Sequence, residues 1–152
     1  MWEGKKVIIG VTGSIAAYKT AFLTRLLKKS GAEVQIIMTP ASLHFITPLT
    51  LSTLSGKPVY SEYFQPKSGE WNNHVELAEW ADLIIIAPAS ANTLAKMSTG
   101  ICDNLLLAVF LSARNKVYIA PAMDLEMYQH DTTRENLKKL ASMGHTILPA
   151  ES

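Results

Sequence analysis

The sequence predicts an α/β domain with a doubly wound parallel sheet. Short aliphatic runs alternate with helical patterns along the 152 residues, as in consecutive βαβ units. The clearest strand is 83–87 (LIIIA), whose continuous apolar character is typical of a strand buried on both faces. Small and hydroxyl residues follow three predicted strands, at 12–14, 88–93 and 121–124. Because such sheets bind ligands at the carboxyl ends of their strands, we expect these segments to form one site.

Composition and charge exclude several classes of function. Hydrophobic residues make up 48% of the chain, charged residues 18%, and the formal net charge is +1. This balance gives no electrostatic reason to expect nucleic acid or a membrane as a partner. No apolar run approaches the roughly 18 residues of a spanning helix, and the N-terminus lacks a signal-peptide apolar region. The single cysteine, Cys102, suits a reducing compartment, so we expect a cytoplasmic protein with no disulfide, and we identify no metal site.

The first βαβ unit is predicted from residues 7–38. Residues 7–11 and 34–38 are apolar, β-branched strands, and the helix between them ends at Gly31, which suits a left-handed position after a helix. The pattern indicates an amphipathic helix beginning at residue 15. Its apolar stripe consists of Ile15, Tyr18, Phe22, Leu23, Leu26 and Leu27.

The turn after the first strand contains glycine and hydroxyl residues. Gly10 and Gly13 do not have the G-x-G-x-x-G spacing, which weakens a dinucleotide interpretation and leaves a phosphate or flavin site open. A tight strand-to-helix turn also favours glycine and a capping Ser or Thr, so residues 12–14 alone do not decide between a ligand and a cap. The same two interpretations apply to Thr39, which follows the second strand.

The remaining elements follow in chain order. Thr47 is the predicted cap of the next helix, Thr132 and Glu135 have the spacing of a capping box, and Gly144 ends the last helix. The predicted elements are a helix over 48–54, a short strand at 59–60, a helix starting at 92–97 and interrupted at 98–100, a helix over 103–113, a strand over 117–120, and a final strand over 146–148. The histidines outside the central stretch are expected to be solvated, namely His44, His130 and His145.

Four ordered blocks carry a family resemblance. They are 10–19 (GVTGSIAAYK), 74–82 (HVELAEWAD), 88–93 (PASANT) and 121–123 (PAM). Together they resemble the flavin-containing cysteine decarboxylases, most closely the phosphopantothenoylcysteine decarboxylases of coenzyme A synthesis. The resemblance implies a Rossmann-like, flavodoxin-like fold in which residues 1–152 form an FMN-binding flavoprotein domain.

The resemblance also assigns residues to a site. Backbone N–H groups at helix N-termini favour a phosphate dianion, and hydroxyl groups add neutral donors. The implied catalytic residue is His74, which would transfer a proton because its ordinary pKa lies near neutrality. The implied FMN-binding residues are Gly13, Ser14, Ile15, Thr39, Ser90, Asn92, Thr93 and Met123. The implied substrate-binding residues are Ala122, Asp124 and Met127.

The implied activity is the FMN-dependent decarboxylation of 4′-phosphopantothenoylcysteine to 4′-phosphopantetheine. A flavin is needed because the substrate has no electron sink for the pair left when CO₂ departs. Members of the family form homotrimers or dodecamers, and some are fused to a phosphopantothenate–cysteine ligase domain. The aromatic residues expected at a subunit interface are Tyr60, Tyr63, Phe64 and Trp71.

The sequence departs from the family pattern in two places. Asp124 stands where the family has Asn, so an acceptor-only carboxylate replaces an amide donor. The C-terminal flap of the family, with the cysteine that it carries, is expected to be missing. Cys102 does not match that cysteine and is expected to be a buried small hydrophobe. Two alternatives therefore remain: a flavin-binding regulatory subunit without turnover, and a relative of the flavin prenyltransferases. The His-x-Glu-Leu context of His74 argues against the second.

Overall fold

A computed structural model describes residues 2–62 and 73–149 and contains one five-stranded sheet. The strands are β1 (Lys6–Val11), β2 (Glu33–Met38), β3 (Leu83–Ala89), β4 (Tyr118–Pro121) and β5 (Thr146–Ile147). All neighbouring pairs are parallel, in the order β2-β1-β3-β4-β5. This is the flavodoxin-like order, whose direction of winding reverses between β1 and β3. The predicted fold class is therefore confirmed.

Helices cover both faces of the sheet. The α-helices of the described residues are α1 (Lys19–Lys29), α2 (Pro48–Ser55), α3 (His74–Trp80), α4 (Ala91–Thr99), α5 (Leu105–Ser112), α6 (Leu125–Gln129) and α7 (Asp131–Ser142). Two 3₁₀ helices, Ile15–Tyr18 and Pro40–His44, precede α1 and α2. Most predicted boundaries differ by one or two residues, whereas α6 and the second 3₁₀ helix were not predicted. No helix in the described ranges is long and apolar enough to cross a membrane.

The core is divided by the sheet into two layers. Val7 and Ile9 of β1 lie in the layer that contains Leu27 of α1 and Leu51 of α2. Ile8, which points the other way, lies in the layer formed with α3, α4, α5 and α7. Successive residues of a strand point to opposite faces, so a strand buried on both sides must be apolar at every position. This explains the continuous aliphatic runs in the sequence.

Helix α5 is the most deeply buried helix of the second layer. Its residues from Leu105 to Phe110 are all buried, and Leu111 is about half exposed. Gly10 allows α5 to approach the sheet, because a Cβ atom there would lie 2.5 Å from Cδ1 of Leu106. Gly10 therefore belongs to β1 and serves packing, not the turn assigned to it from the sequence.

Most of the apolar stripe predicted on α1 faces solvent, although Leu27 of that stripe is buried and Leu23 is half-buried. Ile15 is 80% exposed, and Phe22 and Leu26 are each 64% exposed. The side of α1 that faces the sheet contains Thr20 and Thr24 together with Leu27. Hydroxyl groups are tolerated there because each has a carbonyl partner: Thr20 donates to Ala87 O at 2.9 Å, and Thr24 donates to Thr20 O at 2.8 Å.

Strand β3 extends beyond its predicted end. It continues through Pro88 to Ala89, and its register with β4 shifts between Ile86 and Ala89. Proline cannot donate to a sheet ladder, so the strand is irregular at this point. Side chains satisfy the carbonyls there, since Thr20 and Thr12 donate to the oxygens of Ala87 and Pro88.

Several predicted caps and exposures are corrected. Gly31 and Gly144 have positive φ after α1 and α7, and Thr47 caps α2, as predicted. The capping box at Thr132 was wrong: α7 begins at Asp131, and Nδ1 of the exposed His130 accepts from Thr132 N at 3.1 Å. Imidazole nitrogen can take this place because its neutral form has one free acceptor.

Three further interpretations change. Cys102 is exposed and not a buried hydrophobe. His145 is half-buried and accepts a backbone hydrogen bond, whereas the exposed His44 is solvated as expected. The strand predicted at 59–60 is a single bridge between Tyr60 and Ile37. Of the interface aromatics, Tyr60 packs partly buried against the core, and the others, Tyr63, Phe64 and Trp71, lie outside the described residues.

Candidate functional site at the carboxyl edge of the sheet

Thr12 joins the loops that follow β1 and β3. Its side chain is fully buried, and its hydroxyl donates to Pro88 O at 2.5 Å. The oxygen of the same hydroxyl accepts from Ser90 N at 2.8 Å. β1 and β3 are neighbours at the point where the sheet reverses its winding, and doubly wound sheets bind ligands at this point. The two hydrogen bonds therefore hold the loops together at the expected ligand position.

The loop after β2 lies beside the Gly13 turn. Thr39 N donates to Val11 O at 2.9 Å, which holds the two strand ends together. A Cβ atom at Gly13 would come 2.9 Å from Cβ of Ala41 and 3.6 Å from the ring of Phe45. Gly13 is thus required by close approach to the second 3₁₀ helix, because any larger residue would push the two segments apart.

The loop after β4 completes the group. Ala122 N donates to Ala89 O at 3.1 Å, so this loop is tied to the end of β3. Met123 packs partly buried against the core, whereas Asp124 and Met127 are exposed. Asp124 precedes α6, and its side chain makes no capping hydrogen bond there. Its carboxylate therefore lies at the surface, next to the hydrogen bond that joins the loop after β4 to the end of β3.

The hydroxyl groups predicted to bind a ligand also act as helix caps. Ser14 accepts from Ala16 N at 3.2 Å, Thr39 accepts from Ser42 N at 3.3 Å, and Ser90 accepts from Thr93 N at 3.2 Å. The capping interpretation of residues 12–14 and Thr39 is thus correct. It does not exclude ligand contacts by Ser14 and Thr39, since a hydroxyl that accepts one bond retains a proton and a second lone pair. The Ser90 hydroxyl donates to Thr93 Oγ1, so the proton of the Thr93 hydroxyl is the one that can reach a ligand.

The electrostatic character of this edge favours an anion. The first turns of α4 and of both 3₁₀ helices contain no acidic residue. Helix α4 has nine residues, and the first N–H groups of such a helix carry partial positive charge. Asn92 is exposed in its first turn, while Thr93 is buried and pairs with the Ser90 hydroxyl at 3.2 Å. The exposed Ile15 opens the first 3₁₀ helix beside the Gly13 turn.

His74 lies on a separate element. It is half-buried at the first position of α3, and the Asn73 side chain caps that helix by accepting from Val75 N and Glu76 N at 3.0 and 3.1 Å. Helix α3 packs against α5 and leads directly into β3. The structure therefore joins the predicted residues of the four strand-end loops, whereas the hydrogen bonds between those loops do not include His74.

A cavity of about 250 Å³ lies away from these loops. Its walls come from the start of β3, the end of α3 and the segment before β4, so it opens at the amino edge of the sheet. Two exposed side chains of this wall, Arg114 and Glu79, form an ion pair with a distance of 3.5 Å between nitrogen and oxygen. The described residues contain no group of three or more His, Cys, Asp or Glu placed to hold a metal ion.

The contacts reveal two residues whose roles were not predicted from the sequence, Thr12 and Ala41. The signal for Thr12 was its position: a polar residue directly after a fully buried strand must find partners for its hydroxyl. No comparable signal existed for Ala41, because its closeness to Gly13 depends on tertiary structure.

Comparisons with known proteins give consistent findings. The profile of the Flavoprotein family matches residues 1–152. The coenzyme A biosynthesis bifunctional protein CoaBC of Vibrio vulnificus is 46% identical over 144 residues, 95% of this chain and 36% of that protein. The chain thus spans little more than a third of the length of this curated relative.

Solved structures are similar over nearly the whole chain. The FMN-dependent cysteine decarboxylase SpaF has a TM-score of 0.89 and 28% identity, covering 97% of this chain and 85% of that one. A PPC decarboxylase variant complexed with pantothenoylaminoethenethiol has a TM-score of 0.82 and 32% identity. That match covers 95% of this chain and 81% of the other.

Proposed function

This chain belongs to the Flavoprotein family, and we propose that it binds FMN at the carboxyl edge of its sheet and takes part in decarboxylation. The observation that carries the proposal is the joining of four strand-end loops at the switch point, where hydroxyl groups and the first turn of α4 lie together. This donor set fits a phosphate, because it combines neutral hydroxyls with helix N–H groups and has no carboxylate in those first turns.

The proposed flavin contacts come from three loops and one packing residue. Close approach of a ligand at the Gly13 turn is possible because glycine leaves the backbone accessible. Met123, in the loop after β4, packs partly buried against the core and would contact the planar ring. The full proposed set is Gly13, Ser14, Ile15, Thr39, Ser90, Asn92, Thr93 and Met123. When bound, FMN would supply the electron sink that a cysteine-derived carboxylate lacks.

We propose phosphopantothenoylcysteine as the substrate. The relative named as a coenzyme A biosynthesis protein and the structure named as a PPC decarboxylase support this choice. Ala122, Asp124 and Met127 would bind the substrate, and His74 would move a proton at the reacting carbon. Since the curated relative is bifunctional and much longer, we further propose that this domain works beside a phosphopantothenate–cysteine ligase domain.

A second candidate is a flavin-binding subunit without turnover, which Asp124 favours. Its carboxylate is exposed and uncapped beside the last strand-end loop. A negative group there would repel a substrate carboxylate, since like charges at close range raise the free energy of the complex. The decisive difference between the two candidates is therefore turnover and not flavin binding.

We also propose that the chain forms homotrimers, alone or within a dodecamer. The support is an apolar surface on α1, on α2 and on the segment before α2, whose exposed side chains are Ile15, Tyr18, Phe22, Leu26, Phe45 and Leu49. Helices α1 and α2 pack against each other, and Phe45 lies next to the Gly13 turn. Contiguous exposed apolar surface of this kind is typical of protein interfaces.

Two measurements test the proposed function. The purified chain, loaded with FMN, should show flavin absorption, and FMN fluorescence should be quenched on titration with apoprotein. Incubation with phosphopantothenoylcysteine should then release CO₂ and consume the substrate, as followed by mass spectrometry. Failure to bind FMN would reject both candidates, whereas FMN binding without any loss of CO₂ would favour the non-catalytic subunit. Incubation with a prenyl phosphate serves as the control for the prenyltransferase alternative.

A further inference from the structure

We infer that Thr12 is a positioning residue of the flavin site, acting through Ser90 and not by contact with the flavin. This inference rests on the proposed function. It concerns how the turn after β1 and the first turn of α4 are held in register. The two segments come from strands far apart in the sequence, and Thr12 is the side chain that joins them.

The geometry gives the Thr12 hydroxyl a single arrangement. Its proton is directed to Pro88 O at 2.5 Å, so the oxygen can accept only through its lone pairs. One lone pair receives Ser90 N–H at 2.8 Å. Because the side chain is fully buried, water cannot replace either bond.

The arrangement matters for ligand binding because it uses the N–H of Ser90. That group points into the protein toward Thr12, so it is not available to a ligand. The Ser90 hydroxyl is thereby left facing the first turn of α4, where it accepts from Thr93 N. Without Thr12, the N–H and the Pro88 carbonyl would both lose their partners, and the loop between β3 and α4 would rearrange to satisfy them.

The ladder between β3 and β4 is irregular where this loop begins. The β3–β4 register shifts between Ile86 and Ala89, directly before Ser90. Thr20 holds the preceding carbonyl, Ala87 O, from α1, and this bond ends before the loop. Thr12 is therefore the contact that transfers the position of β1 to the start of α4.

The test compares Thr12→Val with Thr12→Ser and with a matched control, Thr24→Val. Valine keeps the shape and removes the hydroxyl, while serine keeps the hydroxyl. Thr24 is equally buried, but its hydroxyl bonds only to Thr20 O within α1. Each variant is measured for FMN dissociation constant, for the visible absorption and circular dichroism of bound flavin, and for the Tm of the apoprotein.

We expect Thr12→Val, which loses two buried hydrogen bonds, to raise the FMN dissociation constant by at least about tenfold relative to Thr24→Val. The dichroism of bound flavin should change in Thr12→Val alone, and Thr12→Ser should restore both values. Equal affinities and spectra in Thr12→Val and Thr24→Val, with only a lower apoprotein Tm, would overturn the inference and leave a structural role.

A second pair of variants tests the same bond from its other end, in case Thr12→Val does not fold. Ser90→Ala and Ser90→Pro both lose the hydroxyl, but only proline also replaces the N–H with a ring carbon, which would be directed at the Thr12 oxygen and would break this bond, while the φ of −74° at Ser90 suits proline. We expect the FMN dissociation constant of Ser90→Pro to be about tenfold higher than that of Ser90→Ala. Equal binding by the pair would contradict the inference. If the unsubstituted chain binds no FMN, the proposed function itself fails, and this inference fails with it.

Discussion

The backbone N–H of Val117 donates a hydrogen bond to Nδ1 of His145, 2.9 Å away. This bond connects the segment before β5 to the segment before β4, and the ring of Phe110 lies against the imidazole with centroids 5.1 Å apart. Burial lowers the pKa of His145 below its ordinary value, because the charged ring would lose solvation.

We expect this histidine to make stability depend on pH. Its folded pKa lies below its unfolded pKa, so its contribution is present above about 6.5 and is lost as the pH falls through the lowered folded pKa. The protonated ring cannot accept from Val117 N. Urea unfolding at about pH 7.5 and at about pH 5, on either side of an ordinary histidine pKa, measures the decrease in the free energy of unfolding. His145→Asn, which has an oxygen acceptor that does not titrate, should show a smaller loss than the His44→Asn control.

His74→Asn should retain FMN and lose turnover. A general acid or base typically contributes about a hundredfold or more to a rate, so kcat should fall by at least that factor while the FMN dissociation constant is unchanged. Stopped-flow and CO₂ release assays measure kcat, with the exposed His44→Asn as the control. A fully active His74→Asn would show that His74 serves packing between α3 and α5.

Asp124→Asn should improve substrate binding. The substitution removes a carboxylate and supplies an amide donor, and one hydrogen bond to a charged group corresponds to roughly tenfold in affinity. KM should therefore decrease by about that factor, with kcat unchanged or higher. Glu126→Gln is the matched control, because it removes the same charge from an exposed side chain two residues away. Equal effects of the two substitutions would indicate a general charge effect and no contact with the substrate.

Phe22→Glu should weaken self-association. The ring lies in the middle of the exposed stripe of α1, and a buried unpaired carboxylate in an apolar interface is unfavourable by several kcal/mol, on the order of 3. Sedimentation velocity at micromolar concentration should then show monomers. Lys28→Glu, on another side of α1, introduces the same group as a control. A Phe22→Glu chain that still sediments as the unsubstituted chain does would exclude this surface as the interface.

The alternation of strands and helices was predictable because each strand is buried on both faces. Once Ile8 and Ile9 must enter different layers, the strand has to be aliphatic without interruption, and an uninterrupted aliphatic run is plain in the amino-acid sequence itself. The strand-end loops could be predicted for the same reason, since parallel strands bring their carboxyl ends to one edge. The hydroxyl and glycine residues there follow from simple turn chemistry.

The side of α1 that faces the sheet could not be predicted from hydrophobicity. Thr20 and Thr24 are buried because carbonyl partners lie within reach, and those partners exist only in the folded chain. The start of α7 was missed for a similar reason, because His130 took the capping position that the spacing of Thr132 and Glu135 suggested. In each case a hydrogen bond that depends on tertiary or local geometry overrode the sequence pattern.

The bonds that join the strand-end loops have a consequence for dynamics. The amides of Thr39 and Ala122 donate to carbonyls at neighbouring strand ends, and the amide of Ser90 donates to the buried Thr12 hydroxyl directly after β1. All three should therefore exchange with deuterium as slowly as the strands do. The conformational entropy of these strand-end loops is then lost during folding and not during ligand binding. A ligand that binds at these strand-end loops meets a preorganised surface, and its binding should leave the exchange rates of these three amides almost unchanged.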